Sequence, residues 1–71
     1  MLVMVVRFLH NKNGRRKTDV TCIVFDDINA KVTTEMQLAK LHEMGIDAIE
    51  ILKSRPKAEV LGVSYDETNR Q

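Results

Sequence analysis

One dipeptide constrains this chain more than any other feature. Asn13-Gly14 stands between two segments rich in β-branched and apolar residues, Leu2 to His10 and Lys17 to Phe25. A type I′ turn needs positive φ at both central positions, and Asn and Gly tolerate it best. The pair therefore predicts a β-hairpin closed by two residues. That turn would fix the register. Leu2 faces Phe25, Met4 faces Ile23, Val6 faces Thr21 and Phe8 faces Asp19. The opposite face sets Val3, Val5, Arg7 and Leu9 against Val24, Cys22, Val20 and Thr18.

Both faces of this hairpin are largely apolar. A sheet covered on one side alternates apolar with polar residues. A second apolar face is either covered as well or free to dock something. Seventy-one residues leave little chain to cover both. Val3, Val5, Val20, Cys22 and Val24 thus form a candidate face for a partner or for a second copy of the chain.

Residues 26–33 read as a connection, and Thr34 to Met44 as a helix. Thr34 with Gln37 three residues on fits a capping box, and Glu35 suits the positive end of the helix dipole. Leu38, Leu41 and Met44 form an apolar stripe, with Met36 at its edge. Gly45 fits the left-handed position after a helix, where Ile46 can pack back on Leu41.

Beyond Gly45 two readings compete. Ile46 to Lys53 suits a strand, Ser54 to Lys57 a turn, and Ala58 to Tyr65 a fourth strand. Alternatively, Asp47 caps a second helix, with Glu50 as its box partner and Pro56 ending it. The strand reading is preferred. It gives an α+β domain over residues 1–65, ordered ββαββ, with one helix packed across one antiparallel sheet. A polar tail covers residues 66–71.

Charge is unevenly spread. Residues 1–17 hold Arg7, Lys12, Arg15, Arg16 and Lys17 and no acid, whereas residues 18–71 hold six basic and ten acidic residues. A net charge of +1 thus conceals a basic arm on an acidic body. No apolar run approaches the roughly 18 residues of a membrane span. Residues 1–6 lack the flanks of a signal peptide and read as strand. The single cysteine, Cys22, allows no intrachain disulfide, which favours a reducing cytoplasm.

Enzyme signals are missing, and no cofactor or metal is expected. The three glycines stand far apart, so no phosphate loop exists. Cys22, His10 and His42 match no zinc spacing. Cys22 faces Val5 in the expected register, not a base, and reads as a small buried apolar residue. His42 falls on the last helical turn, where it suits the helix C-terminus or solvent. Asp26-Asp27 offers oxygen ligands for a cation but lacks a third, and a turn is the simpler role.

Two classes remain. A basic two-stranded ribbon fits the DNA major groove, and Arg7, Lys12, Arg15, Arg16 and Lys17 would release counterions on meeting phosphates of DNA or RNA. Only Phe8 interleaves with them, which argues against base stacking. Ala58 to Ser64 resembles the turn of a helix-turn-helix, with Thr68 and Arg70 near its contact positions. Glu67 and a second helix of barely two turns depart from that pattern. The hairpin, helix, strand order is similar to small host-takeover proteins of bacteriophages, which block a host enzyme by surface contact. That likeness lies in size and element order alone. The acidic body also suits competition for a basic groove. We therefore expect a non-enzymatic binding or regulatory protein, an adaptor or inhibitor acting on another protein. Nucleic-acid binding by the hairpin is the alternative.

Overall fold

The protein is seen as a computed structural model that describes residues 1–62. Strands β1 (Leu2–Lys12) and β2 (Arg15–Phe25) form the expected hairpin. Asn13 and Gly14 close it with φ of 54° and 75°. The register is the one the turn requires, unbroken from Leu2 opposite Phe25 to Lys12 opposite Arg15.

Helix α1 (Thr34–Glu43) follows the connecting loop. Its cap lies one residue earlier than the sequence suggests. Thr33, not Thr34, accepts the Met36 amide at 3.2 Å on its Oγ1. Gln37 forms no box; it is buried, with its Oε1 lacking a hydrogen-bond partner. The helix ends as expected. The Ile46 amide donates to the Leu41 carbonyl and the Gly45 amide to that of His42, each at 3.0 Å, with Gly45 at φ 83°. This is a Schellman closure, and Ile46 packs against the core cluster that holds Leu41.

Strand β3 (Ala48–Pro56) adds antiparallel to β1, giving the order β2-β1-β3. The strand reading of this segment holds, and the helix alternative does not. The pairing shifts between Arg7 and Phe8 and again between Leu9 and His10, leaving Leu52 and Ile49 unpaired on β3. These are β-bulges. His42 ties α1 to the start of β3. Its Nε2 lies 2.9 Å from the Ala48 carbonyl, which can only accept, so Nε2 carries the proton.

The expected fourth strand is replaced from its start. Lys57–Val60 form a one-turn helix, α2, closed by Leu61 and Gly62 amides on the Lys57 and Glu59 carbonyls. Pro56 explains the break, because it has no N–H to continue a ladder and its φ is fixed near the −58° seen here. The rest of that expected strand, the helix-turn-helix contact positions Thr68 and Arg70, and the tail at 66–71 lie outside the described residues. The class is α+β, with one antiparallel sheet of three strands and α1 packed on it.

The core sits on one side of the sheet. Leu2, Met4, Val6, Phe8 and Ile23 supply it from the hairpin, Leu41 from α1 and Ala48 from β3. His10 is buried there too, its ring edge-on to Phe8 at 5.2 Å. No helix among the described residues is long and apolar enough to cross a membrane.

The turn generates a first prediction. Gly14→Ala places a Cβ in left-handed backbone and lowers stability by about 1 kcal/mol. Urea unfolding of the variant checks it, and an unchanged midpoint would mean that the turn does not set the hairpin.

Candidate docking face and basic arm

Odd-numbered residues of β1 and their partners point away from α1. Cross-strand rows on this side run Val24 to Val3, Cys22 to Val5 to Arg55, and Val20 to Arg7 to Lys53. Val20 is 50% exposed and Val24 41%, whereas Val6 and Ile23 on the other side are at most 1% exposed. Val3 and Val5 are half-buried. Cys22 is exposed, not buried as its mid-strand place suggests. The five residues expected to form a second apolar face do share one, and it is largely open.

The bulged residues Ile49 and Leu52 are exposed as well. Among the described residues, the element over this side is α2. Its Val60 closes an open cleft of about 300 Å³ with Val5, Arg7, Val20, Lys53 and Arg55.

The basic residues of the hairpin do not form one patch. Arg7 lies in the middle of the sheet beside Lys53. Lys12, Arg15, Arg16 and Lys17 cluster at the tip, all exposed. Pleating puts Arg16 on the open side with Arg7, and Lys12, Arg15 and Lys17 on the side of the core. β3 pairs with β1 only as far as His10, with one further bond from the Asn11 amide to the Asp47 carbonyl at 3.0 Å. The tip therefore projects as a two-stranded arm. Overall extents of 47 × 20 × 15 Å and a radius of gyration of 13.3 Å reflect it. A compact chain of this size would have about 11 Å.

Acids lie mostly elsewhere. Glu35 and Glu43 sit on α1, Asp26 and Asp27 in the loop before it, and Asp19 on the core side of β2. Asp19 accepts the Val20 amide at 2.8 Å and stands 3.9 Å from His10 Nε2. Asp27 accepts the Asn29 amide at 2.9 Å, a turn-forming role that occupies one of the paired carboxylates. Within the sheet, the open side carries one carboxylate, that of Glu50 opposite Leu9. Among the described residues, no carboxylate lies within ion-pair distance of Arg7, Lys53 or Arg55.

Lys53 and Arg55 were not legible as partners of Arg7. Their side of the sheet depends on where β3 bulges, and no local sequence signal marks that. Compared with known proteins, the chain matches no family model, no curated sequence and no solved structure.

The openness of this face is directly measurable. Cys22 in the native protein should react with a maleimide at close to the rate of a small free thiol. Protection lifted only by denaturant would show that the face is covered.

Proposed function

We propose that this chain is a non-enzymatic binding protein that acts by contact with another protein, as an adaptor or inhibitor. The observation that carries the reading is the second sheet face. Val20, Cys22 and Val24 are exposed side by side on a rigid ladder, next to half-buried Val3 and Val5. A small chain that leaves such a row in water loses the burial of several apolar side chains, each worth roughly 1.5–3 kcal/mol. Contiguous exposed apolar surface of this kind marks interaction sites. The hairpin, helix, strand order shared with small phage-made inhibitors is in keeping with this, as analogy. The lone Cys22 favours a reducing, cytoplasmic setting.

Charge favours a foreign partner over a second copy. Face-to-face stacking of two copies would bring both sets of Arg7, Lys53 and Arg55 onto one interface, and juxtaposed like charges cost several kcal/mol. An apolar protein surface bordered by acids fits better.

Nucleic-acid binding is the second reading. The projecting arm, with Lys12, Arg15, Arg16 and Lys17 at its tip and no aromatic beside them, favours it. Such an arm would grip phosphates without stacking on bases.

One set of experiments separates these. Val20→Asp with Val24→Asp should abolish capture of a protein that the parent retains from source-cell lysate, with circular dichroism unchanged. Capture that survives the double variant contradicts the docking face. Light scattering should give a monomer at high concentration, and a dimer would move the face to self-association. Labelled duplex DNA and RNA, titrated at about 50 and 200 mM salt, test the arm. Affinity that falls steeply with salt, and that weakens with a flatter salt slope in Arg15→Ala/Arg16→Ala, would install the second reading in place of the first.

A further inference from the structure

We propose that the cleft between the open sheet face and α2 is a binding site for a phosphoryl group carrying two or more negative charges, such as a terminal phosphate or a polyphosphate. The inference goes beyond protein docking. The cleft shares Val5 and Val20 with the docking row and adds Arg7, Lys53, Arg55 and Val60.

Three cations line one cleft of about 300 Å³. Arg7 and Lys53 are directly opposed across β1 and β3, and Arg55 pairs with Val5 one row along. Like charges set this close repel, and within the described residues no carboxylate sits within ion-pair distance to relieve them. Such an arrangement is stabilised by a bound anion. Val5, Val20 and Val60 form the remaining walls. Apolar walls reduce screening and strengthen attraction between the cations and whatever enters.

Charge and geometry select the ligand class. One carboxylate brings a single charge and leaves most of the triad uncompensated. A phosphomonoester brings about 1.5–2 charges and three acceptor oxygens. Two guanidinium forks can each take a pair of those oxygens, with the ammonium as a third point of contact. A nucleic-acid strand, by contrast, carries one charge per phosphate spread along its length. That suits cations in a row, as on the arm, better than three around one cavity.

The test is an NMR titration of the full chain with pyrophosphate, with ATP, and with acetate as a singly charged control. Pyrophosphate should give saturable shifts centred on residues 5, 7, 20, 53, 55 and 60, and acetate little. Arg7→Ala and Arg55→Ala should each weaken pyrophosphate about tenfold. Both side chains are exposed, so the fold should persist; Arg7→Lys, which keeps the charge but loses the fork, should weaken it less than Arg7→Ala. Either ranking of the two phosphates supports the site: tighter ATP assigns the group to a nucleotide, tighter pyrophosphate to free polyphosphate. Shifts that never saturate, that spread evenly over Lys12 and Arg15–Lys17, or that acetate reproduces would overturn it. So would binding of duplex DNA with no response to pyrophosphate. Arg7→Ala and Arg55→Ala leave the apolar row in place, so loss of pyrophosphate binding and loss of protein capture are read on different variants.

Discussion

The ladder between β1 and β2 is what the other elements rest on. Its register runs without a break from the chain start to the turn, and β3 can pair only with the edge of β1 that this ladder leaves available. Because pleating alternates side chains, one register decides which residues α1 buries and which stay in water. A slip of one position would exchange Val6 and Phe8 for Val5 and Arg7 in the core. The left-handed turn at Asn13-Gly14 therefore governs both the core and the candidate site.

The two edges of the sheet are treated differently. β3 carries two bulges, a device that discourages further strand pairing. The same bulges turn Lys53 and Arg55 toward the side that holds Arg7. β2 is regular throughout and carries its cations at the arm end, leaving Val20 to Phe25 without charge. The open face thus grades from an apolar side over β2 to a basic side over β3, with Val5 and Val20 common to the docking row and the cleft.

Legibility followed the range of the interactions involved. The hairpin and its register were readable because two adjacent residues decide them. The end of α1 was readable for the same reason, through Gly45 and Ile46. The start of α1 slipped by one because Thr33 and Thr34 are equally good caps, and core packing at Gln37 settles between them. The β3 segment was ambiguous for a physical cause. Ala48, Ile51 and Ser54 are its inward residues down to Ser54, spaced by three because of the bulges. Spacing of three also suits a helix face, and Asp47 with Glu50 three residues on offered that helix a cap. The expected fourth strand fails at its start because Pro56 ends the ladder and does not merely turn the chain. The cation triad was invisible, since it joins Arg7 to residues more than forty positions away through that bulged register.

Among the described residues one sheet face is packed by α1, and the other, beside the α2 cleft, leaves Val20 and Val24 open. Relaxation of side-chain methyl groups by a soluble gadolinium chelate measures this most directly. In dilute protein the methyls of Val20 and Val24 should relax strongly, and those of Val6, Ile23 and Leu41 should be shielded. Equal shielding of both sets would mean that something in the chain covers the second face. The account of a docking surface would then be wrong.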